Sequence, residues 1–173
     1  MTDTRLNASS DSEREEIPPA VDSRAQEWRP VLEKASKEVF DIMLGSAVSA
    51  GVAGDHPAGE YFTAMVGLAG SLRGVVTFFC GAESARKIAA RMLGHDTAGS
   101  EDQVCDAIGE ICNMIAGNFK NKLCGLYKPC LLSVPAVVTG QGYRFHSLAG
   151  GESFQTVLLL DGAPMVIRLD LHD

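Results

Sequence analysis

Apolar positions recur at helical spacing along WRPVLEKASKEVFDIMLGSAVSAG, where Val31, Ala35, Val39, Ile42 and Met43 fall on one side. Pro30 near the first turn and Gly51 at the end bound this first predicted helix. Two apolar runs rich in β-branched and aromatic residues follow, Tyr61 to Leu68 and Leu72 to Cys80, and Ala69, Gly70 and Ser71 between them predict a hairpin. A short amphipathic helix is predicted over Ala82 to Leu93, stopped by Gly94 and followed by a polar loop over 95–100. From Glu101 to about Leu123 the helical period resumes, with acids at its start and Lys120 and Lys122 near its end, as the helix dipole favours. Beyond Gly125 the pattern changes to β-like runs: Leu131 to Val138, Tyr143 to Leu148, Phe154 to Leu160 and Pro164 to Leu171. Gly140 with Gly142, Gly150 with Gly151, and the Asp161-Gly162 pair punctuate them, which predicts an antiparallel meander. The expected class is α+β, with helices packed on one antiparallel sheet.

One internal echo runs through this pattern. Glu38-Val-Phe-Asp41-Ile-Met-Leu-Gly45 and Glu110-Ile-Cys-Asn113-Met-Ile-Ala-Gly117 both fit E-[VI]-x-[DN]-[IM]-[MI]-x-G, and each helix is followed by apolar β runs. A duplicated unit with a pseudo-two-fold arrangement accounts for this, and so does chance similarity between two amphipathic helices. Residues 1–26 stand apart. They hold six acids, three bases, Pro18 and Pro19, and read as a disordered acidic leader ahead of one domain over 27–173.

Composition narrows the classes of function. Apolar residues make up 46% and charged residues 21% of 173 positions, so the chain can bury a core. A net charge of −7 argues against nucleic acid as a partner, since phosphate neutralisation needs Lys and Arg. The first residues lack the basic start and apolar stretch of a signal peptide, and no apolar run approaches 18 residues, so neither export by that route nor membrane insertion is expected. Five cysteines without CxxC spacing (Cys80, Cys105, Cys112, Cys124, Cys130) fit reduced packing residues in a cytoplasmic protein. His56, His95, His146 and His172 match no metal-ligand spacing, and no phosphate-binding glycine loop occurs.

The candidate chemistry lies on the predicted third helix. At about 100° per residue, Ile108, Ile111, Cys112, Ile115 and Phe119 share one side, and Asp106, Glu110, Asn113, Gly117 and Lys120 form the opposite stripe. Side chains three or four apart on such a stripe can address one partner. Gly117 and Asn113 are both unfavourable in a helix interior, where glycine costs about 0.8–1 kcal/mol relative to alanine, and bare backbone at Gly117 would admit a close approach. The plain alternative is a solvated surface.

DAIGEICNMIAGNFKNKL, with Asp106-x-x-x-Glu110-x-x-Asn113 inside it, resembles the CheX branch of the CheC/CheX/FliY phosphatase family, over roughly residues 30–172. Members of that family dephosphorylate the phosphoaspartate of response-regulator receiver domains such as CheY. The resemblance implies that Asn113 orients the attacking water and that Glu110 docks the lysine beside the receiver's phosphoaspartate. It also implies that Mg²⁺ comes with the receiver, the chain having no cofactor or metal of its own. An amide suits the first role because it both donates to and accepts from water without depending on charge. Asp106 fits the first motif position, where the family takes an acid or serine, or serves only the helix dipole. At the corresponding positions the first helix has Lys34, Glu38 and Asp41. The amide has become a carboxylate there, so one site rather than two is expected, with Glu38 and Asp41 solvated.

CheX-like proteins resemble dimers joined by continuous sheet pairing. A homodimer is therefore expected, with an edge among Phe154 to Leu160 or Pro164 to Leu171 as the candidate; the alternative is a monomer whose edge is blunted by Asp161, Arg168 or Asp170. Two further classes of function remain beside the phosphatase. One is a non-catalytic FliM-like binding domain of the same fold; the other is a small-ligand sensor, for which the sequence reveals no concave site.

Overall fold

A computed structural model describes residues 23–52, 59–94, 99–123, 129–148 and 150–172. Helix α1 spans Ser23–Leu44, followed by β1 (Ser49–Ala50), β2 (Glu60–Gly70), β3 (Gly74–Gly81), α2 (Ala82–Leu93) and α3 (Glu101–Lys122). Then come β4 (Cys130–Leu132), β5 (Ala136–Gln141), β6 (Ser153–Leu160) and β7 (Ala163–Leu171). Residues 1–22 of the expected leader lie outside the described residues; its last four positions, 23–26, are the first turn of α1. Pro30 consequently sits inside α1 rather than at its start.

The sheet runs β1-β6-β7-β3-β2, with both β4 and β5 pairing the outer side of β2, and every pairing is antiparallel. Exchanging β1 with β5, β2 with β6 and β3 with β7 gives the same order read from the other end. The two halves therefore meet at the central β3–β7 pair, where Gly74 to Cys80 face Leu171 to Met165. This is the pseudo-two-fold arrangement that the repeated helix motif anticipated.

Local signals account for the elements. Ser100 caps α3 by accepting from Gln103 N while the Gln103 side chain accepts from Ser100 N, a reciprocal capping box. Gly94 ends α2 in the left-handed conformation, at φ 67°. Asp161 and Gly162, at φ 51° and 81°, form the two-residue turn joining β6 to β7, and both positive angles suit the twist of the strands.

The core lies between the helices and one face of the sheet. Phe62, Ala64, Val66 and Leu68 of β2 alternate inward with Val76 and Phe78 of β3 and with Met165, Ile167 and Leu169 of β7. They meet Leu32, Val39 and Phe40 of α1 and Ile108, Ile111, Ile115 and Phe119 of α3. Trp28 closes one end with its ring edge-on to Phe119, centroids 6.3 Å apart.

Three sequence expectations change. The run from Leu131 to Val138 is two strands, interrupted at 133–135, and both pair with β2. Tyr143 to Leu148 forms no strand; the chain crosses the sheet's outer face there to reach β6, so β4 to β7 are not a meander. Ile42 is 73% exposed because it falls outside the arc of α1 centred on Leu32, Ala35, Val39 and Phe40.

Candidate functional site

Helix α3 is anchored by a buried side and presents the predicted stripe on the other. Val104, Ile108, Ile111, Cys112, Ile115 and Phe119 are buried, whereas Asp106 and Glu110 are exposed and Asn113 and Gly117 are half-buried. Glu110 and Asn113 stand one turn apart, a spacing that puts Cβ atoms about 5–6 Å from each other. Asp106, Glu110 and Asn113 make no hydrogen bond or ion pair among the described residues. Their polar groups are open to a visitor.

Beside this stripe runs the break between β4 and β5, which the sequence did not single out. A methyl group placed on Gly109 would lie 3.4 Å from Val137 Cγ2 and 3.5 Å from Pro135 Cβ; one on Gly117 would lie 3.8 Å from Leu132 Cδ1. Gly109, Asn113 and Gly117 form one i, i+4 row, so the corner flanks Asn113 between those two contacts. Gly117 is therefore less bare than its place on the stripe implied. The corner is fixed by Ser133, whose N–H donates to Gly67 O at 2.9 Å while its Oγ accepts from Gly67 N at 2.8 Å. At its tip Val134 is 86% exposed. A glycine on the buried side of a helix, as Gly109 is, was the available signal of this close approach.

The matching ridge on α1 is differently engaged. Glu38 accepts from Lys122 Nζ at 2.6 Å and from Asn118 Nδ2 at 3.0 Å, and that same amide donates to Ala35 O at 3.0 Å. The Lys122 hydrogen bond, then the Asn118 one, holds the Glu38 carboxyl below its ordinary value. Glu38 thus links α1 to α3 while its side chain stays partly exposed, and Asp41 is exposed as expected.

The remaining candidates do not gather. Burial pushes the Cys112 thiol up to about 12 and Cys80 higher still, and it also raises Cys105, so none of the three is a ready thiolate. His56 and His95 lie outside the described residues; His146 and His172 are exposed and far apart in the chain. Among the described residues no three His, Cys, Asp or Glu side chains cluster for a metal, and no helix is long and apolar enough to cross a membrane.

The family model described as chemotaxis phosphatase CheX matches residues 62–158, more than half of the chain and all of α3. The chain belongs to the CheX family. A curated relative from Thermotoga maritima, the CheY-P phosphatase CheX, is 31% identical over 84 residues, which are 48% of this chain and 54% of the relative. The chain thus spans about half the length of the curated relative it matches. The crystal structure of chemotaxis protein CheX from Vibrio vulnificus is similar with a TM-score of 0.73 at 22% identity, covering 88% of this chain and 100% of that one. A CheX–CheY–BeF3–Mg²⁺ complex from Borrelia burgdorferi is similar with a TM-score of 0.65 at 20% identity, covering 84% and 98%. These structural likenesses cover a larger share of the chain than the family match over residues 62–158.

Proposed function

We propose that this CheX-family protein is a hydrolase of the phosphoaspartate on a CheY-like receiver domain. The observation that carries the reading is the stripe on α3: an acid and an amide one turn apart on a rigid, capped helix, without partners of their own among the described residues. Hydrolysis of an acyl phosphate needs a water in line with the scissile P–O bond. The Asn113 amide accepts one hydrogen from that water through its oxygen and donates to a phosphoryl oxygen or the water through its nitrogen, fixing the approach. Glu110 accepts a charge-assisted hydrogen bond from the receiver's lysine, worth about 1.5–3 kcal/mol, which docks and orients the complex. The receiver supplies Mg²⁺, and its charge offsets that of the phosphoryl group. Asp106 and Gly117 border the contact, the first as a second acid toward a basic rim and the second as a low point of the surface.

The reading belongs to a cytoplasmic signalling protein with reduced cysteines, and it includes a homodimer through sheet pairing. β7 lies inside the sheet, and β6 is flanked by β7 and, at Leu158 and Leu159, by β1. Asp170 and Arg168 therefore blunt no edge; among the described residues, no strand pairs the outer side of β4–β5 or that of β6 over 153–156. A dimer gives a scattering mass of about twice 18.4 kDa.

Phosphate release from a panel of phosphorylated receivers with Mg²⁺ tests the chemistry. Acceleration by wild type and its loss in Asn113→Ala are the expected result. Equal activity of the two on the true partner sinks the mechanism, and tight binding without hydrolysis favours the FliM-like scaffold.

A further inference from the structure

The face of the sheet turned away from the helices holds a separate concavity. Thr63, Phe79 and Val166 form one row across β2, β3 and β7, and Thr77 beside Arg168 forms the next. Their chain neighbours Phe62, Phe78 and Ile167 are core residues, so these five project outward. The chain crossing from β5 toward β6 lays Tyr143 and Phe145 over the two rows, bounding a half-open cavity of about 210 Å³. Tyr143 meets Tyr61 edge-on at 6.0 Å, and its hydroxyl lies 2.6 Å from Thr63 Oγ1.

That hydroxyl pair satisfies itself, but Thr77 has no such partner. Thr77 is 5% exposed, lines the cavity, and its Oγ1 has no hydrogen-bond partner among the described residues. Buried hydroxyls are nearly always paired, so an unpaired one on a cavity wall marks a place for a group the chain does not supply. Next to it, Arg168 donates from Nε and Nη2 to Asp170 Oδ1 at 2.9 and 2.6 Å, which leaves Nη1 without a hydrogen bond among the described residues.

Charge then selects the ligand. The Arg168 cation is already neutralised by Asp170, whose Oδ2 is buried and unpartnered. An anion would face that carboxylate, whereas an uncharged molecule would not. The walls are three aromatic rings and a valine, and the space suits a single ring rather than a larger ligand. We infer that this cavity binds a compact, uncharged aromatic molecule with one hydroxyl or amide group, its ring among Phe79, Tyr143 and Phe145 and its polar group bonded to Thr77 Oγ1 and Arg168 Nη1. The site lies across the sheet from α3 and does not depend on the phosphatase reading.

The test is an NMR titration of the isotopically labelled full chain with phenol and benzamide, with benzoate as the charged counterpart. Saturable shifts confined to Thr63, Thr77, Phe79, Tyr143, Phe145, Val166 and Arg168 are expected, with benzoate bound about 5-fold or more weakly than the better neutral probe. Thr77→Val keeps the shape but removes the hydroxyl; it should weaken the neutral probe about 10-fold while leaving Tm unchanged or higher. Phe145→Ala, at a position 41% exposed on the crossing segment, gives a second variant that should also weaken binding. No saturable shift with either neutral probe, benzoate bound as tightly, or full binding by both variants overturns the inference. So does movement of the same resonances with protein concentration alone, which would mean that a second copy fills the cavity.

Discussion

Helices α1 and α3 occupy equivalent places in the two-fold and share the motif beginning at Glu38 and at Glu110, yet their acids do opposite things. Glu38 is tied to Lys122 and Asn118 of the neighbouring helix. Glu110 is exposed and has no partner among the described residues. Both groups that hold Glu38 come from α3, beyond the shared motif, so the sequence of one helix determines whether the acid of the other is available. A repeated motif therefore marks a repeated scaffold without repeating the surroundings of its acid. Asp41 in place of an amide completes the difference: a second carboxylate where a phosphoryl group would arrive repels it.

The sharpest break of this comparison is at the two equivalent third positions. Asn113→Ala should lower receiver dephosphorylation about 100-fold or more, measured as phosphate release, whereas Asp41→Ala should leave it within about 2-fold. Asp41→Asn restores the motif letter on α1 and should still add no activity to Asn113→Ala, because Glu38 remains tied. Next in size, Glu110→Lys should weaken receiver binding by about 10- to 100-fold in a calorimetric titration, the loss of one charge-assisted contact, and Glu38→Gln should leave that affinity unchanged.

Glu38→Gln should act on folding instead. The folded carboxyl value lies below the ordinary 4.5, so its stabilising effect is present in full above 4.5 and is lost as pH falls through the lowered folded value. Thermal melts of wild type and Glu38→Gln should therefore differ at neutral pH and converge in acid; a constant gap across that range would mean that the clamp is not ionic. The smallest effect is expected at Gly117→Ala. The new methyl would meet Leu132 at an ordinary contact distance, and the gain in helix propensity of about 0.8–1 kcal/mol should raise Tm slightly while receiver affinity falls, if the partner comes down onto the helix backbone there.

Much of this was legible before the fold was seen, and the reasons are local. Gly94 marked the end of α2, the acids from Glu101 marked the start of α3, and Asp161-Gly162 marked the turn between β6 and β7, because each is a short-range requirement; the Ser100–Gln103 capping box was equally local but went unread. The stripe of Asp106, Glu110, Asn113 and Gly117 followed from helical period alone, though its functional reading came from resemblance. What escaped depends on distant partners. Tyr143 and Phe145 alternate with polar neighbours as a strand would, because a segment lying flat on a sheet also turns every second side chain toward it. Leu131 to Val138 looked continuous, but Pro135 cannot donate to a ladder, and Ser133 turns to bond Gly67. The approach of Val137 to Gly109 and the capture of Glu38 by Asn118 join residues tens of positions apart, and no window of sequence displays them.

The central pairing of β3 with β7 carries a consequence for biosynthesis. Its partners are separated by about a hundred positions, so during translation the edge of β3 waits, uncovered, until β7 has left the ribosome. Val75, Thr77 and Phe79 alternate with Val76 and Phe78 along that waiting edge, a stretch of high β-propensity without charge or proline. The nascent chain is consequently most vulnerable to sticking to its siblings until β7 emerges, and slow passage through β6 would prolong that exposure.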